Sequence, residues 1–210
     1  MVGAVAYPEG DSPRKTRILT RSAAVPGDRI AVTGSLGCSA GGLRMMQDGL
    51  SFDARTLAHL ANAHNRPVPR VPQGMLLARR GVVAAIDVSD GLVDDLGKLC
   101  RASNLSATVK ANDVPVDAAL KAAFPDDWLR LATYGGEDYE LLFTARGSIM
   151  SRIPRLMQTP VTVIGEISEI NEIKGGPTGV SVLDEAGATM TVGAGGWDHF
   201  ASPQDSRPGP

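Results

Sequence analysis

The sequence predicts an α/β or α+β domain built on a mixed β-sheet. Apolar runs of strand length alternate with longer stretches of helical spacing, and Gly- or Pro-containing turns separate them. Near the C-terminus two short apolar runs, Val180 to Leu183 and Ala188 to Val192, flank Asp184-Glu185-Ala186-Gly187, a four-residue loop that predicts a β-hairpin.

The elements follow in order. Residues 1–17 are set apart: Val2 to Tyr7 suits one short strand, and Pro8 to Pro13 is a turn or linker run. Arg29 to Thr33 is a buried strand between Pro26-Gly27-Asp28 and Gly34. Ser39 to Gln47 and Ser51 to His64 are helices, with Ser51 as the expected N-cap and Pro67 ending the second. A short helix over Gly74 to Arg80 leads into the strand Val82 to Ser89. Leu92, Leu96 and Leu99 then recur at helical spacing, with Asp90, Asp94 and Asp95 in or near the first turn, where the helix dipole favours carboxylates. A strand near Ala107 to Lys110, helices over Val116 to Phe124 and Asp126 to Tyr134, a strand Glu140 to Ala145, a helix Ser148 to Met157 and a strand Val161 to Ile167 complete the pattern. The Pro-, Ser- and Gly-rich residues 201–210 predict a disordered tail.

Composition removes several function classes. The chain has 210 residues, 43% hydrophobic and 21% charged, which suits a packed globular protein. Nine aromatic residues are few, so the core rests on Val, Leu, Ile, Ala and Met. A net charge of -2 argues against a broad nucleic-acid surface. The longest apolar run, Val82 to Ile86, is far short of the roughly 20 residues that a membrane helix needs. Two cysteines, Cys38 and Cys100, exclude a disulfide scaffold and fit a reducing compartment, and the early Pro and acids of the opening residues predict that these are not a secretory signal. The expected setting is cytoplasmic, with no nucleic-acid and no membrane partner.

Three segments carry chemistry. In Ile86-Asp87-Val88-Ser89-Asp90-Gly91, strand alternation puts Asp87 and Ser89 on one side and Val88 on the other, and Asp90-Gly91 turns the chain into a helix. Carboxylates and a hydroxyl thus converge at the C-terminal end of a strand, where α/β sheets place ligands and where magnesium would find oxygen donors. The alternative is that Asp90 caps the helix and that Asp94 and Asp95 are solvated. The second segment, Gly135-Gly136-Glu137-Asp138-Tyr139-Glu140-Leu141-Leu142-Phe143-Thr144, joins two glycines and two acids to an apolar strand. It reads either as a ligand-approach loop or as a turn with surface acids. The third, Thr33 to Gly42, is a Gly-rich link that lacks the Walker pattern, so close packing competes with phosphate binding. Arg21 is a lone cation, suited to a phosphate or to solvent. His59 and His64, five apart, do not share a helix face, and Cys100 lies on an apolar stripe.

With those residues in view, the chain resembles thiamine-monophosphate kinases, in the superfamily of aminoimidazole-ribonucleotide synthetase and selenophosphate synthetase. The likeness lies in Arg21 to Gly37, His64 to Arg70, Ile86 to Leu96 and Gly135 to Thr144, with Gly196-Trp197-Asp198-His199-Phe200 near the end, and spans about residues 18–200. The resemblance implies a layered domain of about four main strands flanked by helices, with an extra hairpin. It implies ATP-dependent phosphorylation of thiamine monophosphate to thiamine diphosphate. Asp87 and Asp90 would be Mg2+ ligands, Arg21 and Ser89 would contact ATP, and Glu137 and Trp197 would contact the thiamine substrate. No covalent nucleophile is needed, because phosphoryl transfer rests on positioning and charge neutralisation.

Members of the family carry a further N-terminal domain with more acidic ligands, much of the nucleotide site and the usual homodimer interface. Residues 1–17 therefore read as the end of, or the link from, such a domain, and the chain alone is expected to have little kinase activity. It is also expected to expose an apolar face beside Asp87. A non-catalytic subunit or ligand-binding remnant, or another ATP-dependent member of the superfamily, is the competing reading.

Overall fold

Along the strand Arg29–Thr33, Ile30 and Val32 point to one side and Ala31 to the other, and all three are fully buried. Side chains alternate on a strand, so both faces of the sheet at this point must be covered. The computed structural model describes residues 18–170 and 179–190, and this strand, β1, lies inside its sheet. The other strands are β2 (Ala84–Asp87), β3 (Ser106–Lys110), β4 (Leu141–Ala145), β5 (Val161–Ser168) and β6 (Val180–Leu183). Their order is β2-β4-β1-β5-β3-β6. Every pairing is antiparallel except β3 with β6, which is parallel. Outside β2, Thr20 makes a parallel bridge to Ala84. The sheet is mixed, as the alternation predicts.

The helices are α1 (Cys38–Gln47), α2 (Ala54–Asn65), α3 (Val71–Arg79), α4 (Leu92–Ser103), α5 (Ala118–Ala123), α6 (Trp128–Tyr134) and α7 (Gly147–Met150). Helix α4 covers one face: its Leu92, Leu96 and Leu99, all without exposed surface, meet Ile30, Ile86, Leu142 and Ile164. On the other face Leu77 and Ala78 of α3, with Met150 and Ile153, meet Ala31, Ala85 and Phe143. A third cluster joins α1, α2, α5 and α6 through Met45, Leu60, Leu120, Phe124 and Leu131.

Several elements differ from expectation. Among the described residues the sheet has six strands, not about four with a separate hairpin, because β6 pairs with β3, and the described part of the return segment contributes the bridge from Leu183 to Thr189. The hairpin turn itself is present, with Asp184 and Met190 donating to the carbonyls of Ala188 and Val182. Asp53, not Ser51, caps α2: its carboxylate accepts from the amides of Arg55 and Thr56, a stronger acceptor than a hydroxyl two residues earlier. Helix α7 stops at Met150 rather than Met157, since Pro154 cannot donate and restricts the residue before it. The expected strand Val2 to Tyr7, the tail and the Trp197 segment lie outside the described residues. Replacing Leu96 with Ala is expected to cost about 2–5 kcal/mol in urea unfolding, because the sheet above it cannot collapse into the space.

Candidate functional site

Strand β2 ends at Asp87, and its ladder with β4 pairs Asp87 with Leu141. Hydrogen bonds continue past the strand ends: Val88 donates to the Glu140 carbonyl, Tyr139 to that of Val88 and Glu137 to that of Ser89. The segment Asp87 to Gly91 and the segment Gly135 to Glu140 are thereby joined along their length. The approach is tight, and a Cβ on Gly136 would stand 2.4 Å from the Ser89 oxygen. Gly91, at φ 127°, takes the turn into α4 that a side chain would obstruct.

A buried carboxylate organises that turn. Asp95, with no exposed surface, accepts through one oxygen from the amides of Ser89 (2.8 Å), Asp90 (2.9 Å) and Gly91 (3.2 Å). Its other oxygen accepts from Lys98 at 2.6 Å, and Lys98 also bonds Asp90. The solvated placement of Asp95, one of the two sequence alternatives, is therefore overturned: it sits one turn after Leu92 on the buried stripe, where an unbonded carboxylate would be costly. Gly91 holds the N-cap position, with no capping role for Asp90.

Opposite this turn, Glu137 (φ 68°) and Tyr139 (φ 53°) both adopt left-handed backbone, a conformation worth roughly 1–2 kcal/mol of strain at a non-glycine residue. The flanking hydrogen bonds hold it. The result sends neighbouring acids to different jobs. Glu137 is exposed and accepts from its neighbour's phenol, Tyr139 Oη, at 3.0 Å. Asp138 instead points to the start of α1, where it accepts from the amides of Gly37 (2.7 Å) and Ser39 (3.2 Å). The Gly-rich link of α1 thus has its anion supplied from within the protein, which settles the third segment in favour of packing. Burial raises the Asp138 carboxyl to about 7, against the pull of those two hydrogen bonds.

Behind the loop lies an ion pair that the sequence did not reveal. Arg70 reaches Glu140 with two nitrogens, at 2.6 and 2.7 Å, and Thr33 Oγ1 donates to the same carboxylate at 2.6 Å. Glu140 is buried, and its fork-to-fork geometry ties the Pro-rich segment before α3 to the start of β4.

Two clefts flank the turn. The first, about 540 Å³, is lined by Arg21, Asp87, Ser89, Asp95 and Lys98. The second, about 590 Å³, is lined by Ser89, Asp90, Glu137, Tyr134, His64 and Arg130, among others. Ser89 borders both. Of the expected residues, Arg21, Asp87 and Ser89 share the first cleft, while Ser89, Asp90 and Glu137 share the second; Trp197 lies outside the described residues. Asp87 and Asp90 do not share a cleft, yet both charges bear on Tyr139. That phenol is raised first by its bond to Glu137, then by burial and by the charges of Glu137, Asp87 and Asp90.

Among the described residues no three of His, Cys, Asp and Glu are grouped to hold a metal by themselves. The donor set at the turn still fits magnesium, which takes one or two carboxylates and fills its remaining positions with phosphate and water oxygens. That Asp90 already draws an ammonium shows a position where positive charge is stabilised.

Residues 25–174 match the family described as AIR synthase related protein, C-terminal domain. The chain belongs to that family. Within it, the chain is similar to the thiamine-monophosphate kinase of Escherichia coli (strain K12), 40% identical over 193 residues, which are 89% of this chain and 57% of the relative. It therefore spans little more than half the length of that curated relative. The solved thiamine-monophosphate kinase from Stenotrophomonas maltophilia K279a matches with a TM-score of 0.70 and 36% identity, over 79% of this chain and 53% of that one. AaThiL complexed with AMPPCP and TMP matches with a TM-score of 0.72 and 28% identity, over 88% and 55%.

For this AIR synthase related domain, sequence reasoning missed Asp95, Lys98, Asp138 and the Arg70–Glu140 pair. Only Asp95 left a signal, a carboxylate at the spacing of the buried leucines. Cys100 is buried, as its place on the apolar stripe predicts, and Cys38 is buried too. Burial pushes the Cys38 thiol up to about 12 and Cys100 up to about 11, which disfavours the thiolate at both. His59 Nε2 stands 3.8 Å from Cys38 Sγ, and His64 Nδ1 3.1 Å from Ser39 Oγ, so the two histidines serve different neighbours.

Two outcomes follow for the loop. The Asp138 pKa lies above its unfolded value, so its contribution is fully present below about pH 4 and is lost as the pH rises through about 7. Asp138→Asn should therefore gain stability relative to the wild type between about pH 4 and 7, and the gap should level off above that range. Urea midpoints across this window check it; a constant gap would contradict it. Glu140→Ala should cost on the order of 3 kcal/mol by stranding Arg70, and pairing it with Arg70→Met should recover part of that loss in the same measurement.

Proposed function

We propose that this domain forms part of an enzyme that transfers the γ-phosphoryl group of ATP to thiamine monophosphate, giving thiamine diphosphate and ADP. The observation that carries the reading is the shared border at Ser89: two clefts meet at one turn, so a donor in one and an acceptor in the other face each other across it. The similarity to thiamine-monophosphate kinases supports the choice of substrates.

In this reading ATP lies in the first cleft, where the Arg21 guanidinium and the Ser89 hydroxyl contact its phosphates. Thiamine monophosphate lies in the second, with Glu137 beside it. Trp197, outside the described residues, would contact the thiamine ring system as a stacking surface for a cationic aromatic. A terminal oxygen of the acceptor phosphate forms the new bond to Pγ as the bond from Pγ to the bridging β-oxygen breaks, and ADP carries away that electron pair. The acceptor is already an anion, so no general base is required. Asp87 and Asp90 would hold magnesium, which neutralises phosphate charge when bound. Asp95 keeps Ser89 and Asp90 in register, and the left-handed turn at Glu137 keeps its carboxylate on the acceptor side.

Among the described residues no helix is long and apolar enough to cross a membrane. A cytoplasmic setting suits the use of ATP and two free, buried cysteines. The homodimer that the resemblance implies belongs to this proposal as well.

Calorimetric titration separates the two clefts. Asp87→Asn should weaken Mg-ATP binding about tenfold or more with thiamine monophosphate binding unchanged, and Glu137→Gln should do the reverse. If both substitutions leave both ligands unaffected, the assignment of the clefts is wrong.

A further inference from the structure

Lys98 has two anionic partners of unlike character. Asp95 is a permanent one: its carboxylate has no exposed surface, and its second oxygen is occupied by three backbone amides. Asp90 is an exchangeable one, with a side chain 42% exposed and bordering the other cleft. Lys98 lines the first cleft together with Arg21, Asp87 and Ser89. The Lys98–Asp90 pair therefore reaches across the border between the two clefts, at the point where the phosphoryl group would pass.

A divalent cation and an ammonium cannot both stand against one carboxylate at contact distance, since like charges there repel strongly. Lysine is a compact charge on a flexible stem, able to change partners while its base stays fixed. We propose that Lys98 is a placeholder cation: it holds Asp90 while no divalent ion is present, yields that carboxylate when one binds, and turns on its Asp95 anchor to contact the polyphosphate in the first cleft. The inference rests on the reading of Asp87 and Asp90 as metal-binding residues. It assigns a phosphate-binding and metal-gating role to a residue that lies outside all three chemistry-bearing segments of the sequence.

The 210-residue protein is titrated with Mn2+ alone and, separately, with metal-free ATP, as wild type, Lys98→Met and Lys98→Gln. Both variants should bind Mn2+ several-fold more tightly than wild type, because no ammonium competes for Asp90, and both should bind metal-free ATP about tenfold more weakly. Opposite shifts from one substitution are not what loss of structure gives; thermal melting of both variants, with the better-folded one used for the comparison, secures this. Mn2+ binding that Lys98 substitution leaves unchanged or weakens overturns the placeholder role, as does ATP binding that stays the same. Asp87→Asn separates the failures: if it removes Mn2+ binding while Lys98 variants behave as wild type, the metal reading stands and this inference falls. If Asp87→Asn leaves Mn2+ binding intact, or if the wild type binds none, both fall.

Discussion

A single buried carboxylate sets the geometry on which the candidate site depends. Three consecutive amides, Ser89 to Gly91, would otherwise be unsatisfied donors at the start of α4, and Asp95 accepts from all of them from inside the helix that they begin. The arrangement is possible because Gly91 turns the chain sharply enough to bring those amides back over the first helical turn. It also fixes which way Ser89 and Asp90 face. The penalty of burying a charge is offset here by hydrogen bonds to one oxygen and an ammonium at the other, the condition under which an ionised group is tolerated in a protein interior.

The opposite wall is held in the same manner by a different acid. Asp138 reaches across to the start of α1, and the strained residues on either side of it persist because their amides are bonded to the carbonyls of Ser89 and Val88, just past β2. Each helix that begins near the site thus receives its anion from the protein itself. Two amides at the start of α1 and the amide of Gly91 at the start of α4 are thereby already bonded to carboxylates of the protein itself, and in the proposed reading the phosphates are contacted by side chains of the first cleft, Arg21 and Ser89 among them.

The relation to known proteins has two levels. The fold and the family are shared with enzymes of which this chain spans a little over half the length. In the proposed reading the two clefts divide the substrates between them, and the turn at Ser89, which borders both, is the part of that arrangement carried by the described residues. The first cleft also contains Ile18, an exposed apolar residue, and the buried Leu19; one exposed isoleucine is less than the apolar face expected beside Asp87.

Local pattern in the sequence determined the element order, the mixed sheet and the convergence of Asp87, Ser89 and Asp90 on a strand end, because period-two and helical spacing are written residue by residue. It also separated Val88, fully buried, from its two polar neighbours. Helix ends were less legible: Pro154 shortens α7, and Asp53 outcompetes Ser51, through contacts decided within a few residues. The tertiary structure alone decided that β6 joins the sheet, that Asp87 and Asp90 open into different clefts, and that Arg70 meets Glu140 across seventy positions. It also decided that Asp95 faces inward. Those features depend on groups distant in the chain finding the one arrangement that satisfies every buried charge, and no spacing along the sequence encodes that condition.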